Sequence, residues 1–114
     1  NMGNVYERLG RWAEAAAVYQ EALAIARALN DHVGTAHALN NLAIICEHQE
    51  RWQEAIRLYE EALTLKRAIG DAHSEGVTLM NLGDLYASQG HTNEARRYQA
   101  AALARLHPAS PEYA

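Results

Sequence analysis

Histidine and cysteine are the side chains of this 114-residue sequence best suited to bind a metal or to attack a substrate. No two histidines lie three or four residues apart, the spacing that places two side chains on one helix face. On one helix, His37 and His48 would be roughly 16 Å apart at 1.5 Å per residue. We therefore predict no metal site and solvent-facing imidazoles. The six histidines are His32, His37, His48, His73, His91 and His107.

The remaining candidates for chemistry favour structural roles. Cys46 is the only cysteine, which excludes a disulfide framework and a cysteine metal cluster and predicts a packed thiol. The adjacent carboxylates of Glu60 and Glu61 are more typical of a solvated helix face than of an acid–base pair. The sequence contains neither a glycine-rich phosphate loop nor a Ser-His-Asp arrangement. We predict that the chain is not an enzyme and takes no cofactor.

Composition narrows the class of protein. With 49% hydrophobic and 21% charged residues, the chain suffices for one compact domain. A net charge of −4 argues against nucleic acid or an anionic membrane as partner. No apolar run approaches the roughly 20 residues that span a bilayer, and the opening residues do not resemble a signal peptide. The free cysteine predicts a reducing, cytoplasmic location.

Residue usage indicates an all-α chain. Alanine, the best helix former, supplies 23 residues, and phenylalanine is absent. Both prolines, Pro108 and Pro111, follow the last expected helix. Val, Ile and Thr do not alternate as strands require.

An internal repeat organises these helices. Arg11-Trp12 returns as Arg51-Trp52, and at this shift of 40 residues the segments 1–30 and 41–70 are identical at 12 of 30 positions. We predict two helices in each unit. Asp31 and Asp71 are expected to cap first helices, and breaks are expected at Gly10, Glu50 and Gly90. The predicted helices cover 12–29, 33–49, 52–69, 73–89 and 92–106.

The helix at 52–69 is apolar on two adjacent sides, so it needs cover from two neighbours. Stacked helix pairs supply that cover, which is the packing of a helical solenoid. Small residues at Ala15, Ala55 and Ala95 permit close helix approach.

These residues together resemble the tetratricopeptide repeat. Leu82-Gly83-x-x-Tyr86, followed by Gly90, Ala95 and Ala102, is similar to its signature. The 40-residue period resembles the longer variety found in kinesin light chains, Pins-type polarity scaffolds and bacterial regulators. The resemblance implies a right-handed α-solenoid of antiparallel helix pairs with about 2.5 to 3 units. The expected units are 1–30, 31–70 and 71–107, with a tail at 108–114.

The two ends differ from the repeat pattern. The first unit lacks the front half of its first helix, so we expect uncovered apolar surface at that end. The third unit has Arg96, Gln99 and Arg105 where the second has Ile56, Tyr59 and Leu65. Such a polar outer helix is typical of a terminal cap, and we expect a fragment from the end of a longer array.

The resemblance implies a concave groove lined by the first helix of each unit. Its equivalent asparagines, Asn1, Asn41 and Asn81, can each offer a donor and an acceptor to a peptide backbone. The alternative is that these amides bond between helices. The predicted groove residues are Asn1, Asn4, Arg8, His37, Asn40, Asn41, Ile44, Glu47, His48, Val77, Met80, Asn81, Asp84 and Ser88.

Two hypotheses for function follow. The leading one is a module of a larger scaffold or regulator that binds an extended peptide or partner segment in this groove. Three acidic residues, Glu7, Glu47 and Asp84, favour a ligand with some basic character, whereas Arg8 opposes it. The alternative is a structural segment that self-associates by stacking its uncovered N-terminal end on another copy.

Overall fold

The computed structural model describes residues 11–106, and this part of the chain consists of five α-helices joined by short turns. Every predicted boundary lies within one residue of the observed one. No strand occurs in the described residues, so the all-α prediction is confirmed there. The predicted half-helix before Gly10 and the tail at 108–114 lie outside them. The helices are α1 (Trp12–Ala28), α2 (His32–His48), α3 (Trp52–Ile69), α4 (Ala72–Ser88) and α5 (Thr92–Leu106).

The aspartates predicted to begin α2 and α4 are observed as N-caps. The Asp31 carboxylate accepts a hydrogen bond from the Gly34 amide at 2.9 Å. Asp71 accepts one from the Ser74 amide at 3.1 Å. Each bond satisfies one of the amides that a helix start leaves without an internal partner.

The turns share one backbone conformation. Gly70 and Gly90 have φ of +83° and +81°, and Asn30 and Glu50 occupy the same left-handed region at +54° and +60°. In each turn the next amide bonds back to the carbonyl five residues earlier, as Asp31 does to Ala26 at 2.8 Å. This is the Schellman arrangement, and it explains the predicted breaks at Glu50 and Gly90.

The described helices divide after Leu65 into two compact units, which we call unit 1 and unit 2. Their boundary differs from the boundaries of the three sequence repeats. Unit 1 contains α1, α2 and most of α3, and unit 2 contains the end of α3 with α4 and α5. The small residues Ala15, Ala55 and Ala95 are fully or almost fully buried, as expected for close helix approach. In unit 2, a Cβ on Gly83 would lie 2.9 Å from the Gln99 side chain, so the absence of a side chain lets α5 approach α4.

Candidate functional site

The residues predicted to line a groove form one stripe on α2. They recur at helical spacing, and none belongs to the buried face of the helix. That buried face carries Leu39, Leu42 and Cys46 instead. The α2 stripe consists of exposed His37 and His48 and half-buried Asn40, Asn41, Ile44 and Glu47.

A second stripe follows the same pattern on α4. Leu79, Leu82 and Leu85 fill the buried face. The predicted groove residues lie outside it and combine two apolar side chains with three polar ones. The α4 stripe consists of exposed Val77, Asp84 and Ser88 and half-buried Met80 and Asn81.

The α2 stripe lies in unit 1 and the α4 stripe in unit 2. The remaining predicted groove residues, Asn1, Asn4 and Arg8, lie outside the described residues. The structure therefore brings the predicted residues together within each helix, and a groove that joins the two stripes stays a prediction.

Two side chains of the α2 stripe are held by contacts that the sequence did not reveal. The hydroxyl of Tyr59 donates a hydrogen bond to the Glu47 carboxylate at 3.1 Å. The imidazole of His48 stacks flat on the Trp12 indole, with ring centroids 4.3 Å apart and planes 2° apart. Trp12 thus packs against α2. These contacts orient the C-terminal end of the stripe.

The side chains considered for covalent or metal chemistry occupy the predicted environments. The five histidines within residues 11–106 are exposed. Cys46 is buried, and its burial raises the pKa of the thiol, which opposes formation of the reactive thiolate. Among the described residues no three His, Cys, Asp or Glu side chains are grouped to hold a metal ion. Nor is any helix in this part of the chain long and apolar enough to cross a membrane.

Unit 2 contains a buried carboxylate that sequence reasoning missed. Glu75 on α4 is almost fully buried, and its carboxylate accepts hydrogen bonds from Nε of Arg67 at 2.9 Å and of Arg105 at 3.1 Å. Both guanidinium groups remain about half exposed. Arg105, predicted to be part of a polar cap, therefore also ties α5 to α4.

A buried ammonium lies near the same end of α4. Lys66 donates a hydrogen bond from Nζ to the Thr78 hydroxyl at 2.6 Å, and both residues are buried. Burial lowers the pKa of the Lys66 ammonium from its usual 10.5. The internal repeat could have revealed this pair, because Lys66 and Thr78 stand where the preceding repeat has alanines, Ala26 and Ala38.

Unit 1 has an exposed apolar surface where α1 meets α2. Ile25, Leu29 and Val33 are 55%, 72% and 64% exposed. They border a depression of about 610 Å³ between α1 and α2. We refer to it as the α1–α2 hollow and define it by Ala22, Ile25, Ala26, Leu29, Val33 and Ala38.

Comparison with known proteins identifies the repeat. The family model described as "Tetratricopeptide repeat" matches residues 1–68 and 45–106. The crystal structure of BtubC (BKLC) from P. vanneervenii is similar, with a TM-score of 0.85 and 27% identity. The match covers 96% of this chain but only 45% of that one. No curated protein matches. The predicted family and its all-α repeat fold are thereby confirmed.

Proposed function

The chain belongs to the tetratricopeptide repeat family, and on that premise we propose that its α2 and α4 stripes bind an extended peptide segment of a partner protein. Family membership supports a protein-interaction module rather than a chemical activity. The finer proposal rests on one observation: the predicted contact residues form a continuous, incompletely buried stripe on each of these helices.

The chemistry of the stripes suits a peptide backbone. Asn40 and Asn41 on α2 and Asn81 on α4 are half-buried amides beside the apolar side chains of Ile44 and Met80. An amide can donate to a peptide carbonyl and accept from a peptide N–H, whatever the ligand sequence. The neighbouring apolar side chains would then select among ligand side chains.

Orientation and charge refine the proposed ligand. Glu47 is held by Tyr59 and His48 by Trp12, so these two groups need less ordering when a ligand arrives. Together with Asp84, Glu47 gives the stripes acidic character. We therefore propose a ligand with basic residues, presented to a module of a cytoplasmic scaffold or regulator, a location supported by the free thiol of Cys46.

Selection from a displayed library of random 12-residue peptides, followed by titration of the selected peptides, tests this proposal. Asn41→Ala combined with Asn81→Ala should weaken binding by about tenfold, because contact with a peptide amide is lost at two points. Asn93→Ala is the matched control, since Asn93 is an exposed amide on α5 outside both stripes.

Circular dichroism of each variant should show unchanged helicity. Equal losses for Asn93→Ala and for the double variant, or no loss for either, would contradict the assignment to the stripes. Enrichment of peptides without basic residues would contradict the charge preference alone.

A further inference from the structure

We propose that a cavity beside Leu65 in unit 1 binds a free α-amino acid with an aliphatic side chain. The cavity has a volume of about 360 Å³ and lies where the end of α1, the start of α2 and the end of α3 meet. We call it the Leu65 cavity and define it by Arg27, Thr35, Glu61, Thr64 and Leu65. Its described lining residues belong neither to the α1–α2 hollow nor to the stripes, so the proposal does not depend on peptide binding.

The internal repeat shows why this cavity is open. Thr35 and Leu65 in unit 1 are equivalent to Glu75 and Arg105 in unit 2. In unit 2 these two longer side chains meet, with Nε of Arg105 3.1 Å from the Glu75 carboxylate. We attribute the opening in unit 1 to its two shorter side chains, which belong to the unit itself, and not to a helix that precedes or follows it.

One arginine of the cluster in unit 2 has its equivalent on the wall of the Leu65 cavity. Arg27 is equivalent to Arg67, whose Nε donates to the buried Glu75 carboxylate at 2.9 Å. Arg27 instead donates from Nη2 to Glu61 at 2.6 Å. Since a guanidinium group has five N–H donors, this bond leaves donors for a second carboxylate. A ligand carboxylate in the cavity can therefore take the role that Glu75 has in unit 2.

The Glu61 carboxylate determines which kind of ligand fits. It lines the cavity together with Arg27, whereas its equivalent in unit 2 is Ala101. A ligand with only a carboxylate would be attracted by Arg27 and repelled by Glu61. An α-amino acid places an ammonium group one carbon away from its carboxylate, so it can bond both charges of the wall. Because the Arg27–Glu61 pair is about half exposed, separating it to admit the ligand costs little.

The rest of the cavity suits a small aliphatic side chain. The open part of its wall is mainly apolar, and half-buried Leu65 contributes to it. Asn30 and His32, both exposed, complete the described lining. The volume lies near the lower end of the roughly 300–1,000 Å³ that is typical of small-molecule sites, which limits the ligand to a small metabolite. Leucine combines the two charges with an aliphatic group and serves as the probe.

Titration of L-leucine into the whole chain, followed by NMR through the backbone amide signals of Thr35 and Leu65, tests the proposal. We expect saturable shifts at leucine concentrations up to about 10 mM. Isocaproate has the same aliphatic group without the ammonium, and isoamylamine has it without the carboxylate. Each should bind at least about tenfold more weakly than leucine, because each loses one charge-assisted contact.

Variants of the wall separate the role of charge from the role of volume. Arg27→Met should weaken leucine binding at least about tenfold, because the carboxylate loses its donor. Thr35→Glu with Leu65→Arg installs the residues of unit 2 and should abolish binding by filling the cavity. Arg57→Met is the matched control, since Arg57 is an exposed arginine on α3 that pairs with Glu54 and lies outside the described lining.

Circular dichroism of each variant should show unchanged helicity. If the filled variant loses helicity, Glu61→Ala carries the test, because it installs the residue of unit 2 at a partly exposed position. Leucine should then lose its advantage over isocaproate, since the partner of the ammonium is removed. Asn41→Ala with Asn81→Ala should leave leucine binding unchanged, which separates a failure here from a failure of the peptide proposal.

Three results would overturn the proposal. One is the absence of saturable shifts with leucine. Another is equal affinity for leucine and either analogue, as expected if the cavity were merely an apolar depression. The third is equal affinity of the wild type and the Arg27→Met variant, because the ligand carboxylate would then be bound elsewhere.

Discussion

Unit 1 and unit 2 carry different residues at equivalent positions of the repeat, and the largest difference concerns where a carboxylate sits. In unit 1, Arg27 pairs with Glu61 at 2.6 Å, and both side chains are substantially exposed. In unit 2 the equivalent arginine, Arg67, pairs at 2.9 Å with Glu75, which is buried on a different helix. Ala101 occupies the position of Glu61. The arginine is retained, while its partner has moved from the surface to the interior.

The surrounding positions change together with the carboxylate. Thr35 stands in unit 1 where Glu75 stands in unit 2, and its hydroxyl donates to the Asp31 carbonyl of its own helix at 2.7 Å. Leu65 stands where Arg105 stands, and a cavity of about 360 Å³ remains beside it. Equivalent positions of the repeat thus carry either the uncharged pair Thr35 and Leu65 or two members of a buried ion cluster, Glu75 and Arg105. Only the cluster requires three side chains from three helices to meet.

The largest expected effect comes from removing both cations of unit 2. Arg67→Met with Arg105→Met leaves the Glu75 carboxylate buried without its two donors. We expect the free energy of unfolding to fall by about 3 kcal/mol, because an uncompensated buried charge is costly. Urea unfolding followed by circular dichroism measures this change.

Two controls relate this effect to the comparison between the units. Arg27→Met in unit 1 should cost less than about 1 kcal/mol, since it breaks an exposed pair. Glu75→Thr with Arg105→Leu installs the residues of unit 1 and should leave stability within about 1 kcal/mol of the wild type, because the buried charge is removed with its partner. A large loss in that double variant would show that the two units do not tolerate the same packing.

The regular features of the fold were predictable because they repeat locally. Helix boundaries followed from apolar spacing, and the caps followed from Asp31 and Asp71. The buried ion cluster of unit 2 was not predictable in this way, because Glu75 and Arg105 are 30 residues apart and no periodic pattern relates them.

The candidate site likewise has features that the sequence predicted and features that it did not. The repeat register predicted which α2 residues share a face, but the Tyr59–Glu47 and Trp12–His48 contacts depend on how neighbouring helices pack. Whether the stripes bind a peptide stays a prediction.

A smaller effect is expected from Lys66, where unit 1 has Ala26. Because burial lowers its pKa in the folded chain, the unfolded chain binds more protons between the folded-state pKa and 10.5. Stability should therefore rise with pH across that alkaline interval, and Lys66→Met should remove this part of the rise. Lys66 is the only lysine in the sequence, so ¹³C-lysine labelling gives a single side-chain signal whose titration midpoint should lie below 10.5.

The smallest expected effect concerns the pKa of Asp71, the N-cap of α4, in comparison with Asp31, the N-cap of α2. Hydrogen bonds from the Ser74 side chain and backbone lower the pKa of Asp71 below its usual 3.8, whereas Asp31 has Gly34, without a side chain, at the corresponding place. A carboxyl with a lowered pKa contributes stability that is complete above the unfolded-state value and is lost as pH falls through the folded-state value. Ser74→Gly should therefore move the Asp71 carboxyl midpoint, measured by NMR, upward toward 3.8. An unchanged midpoint would mean that the serine hydroxyl does not distinguish the cap of unit 2 from that of unit 1.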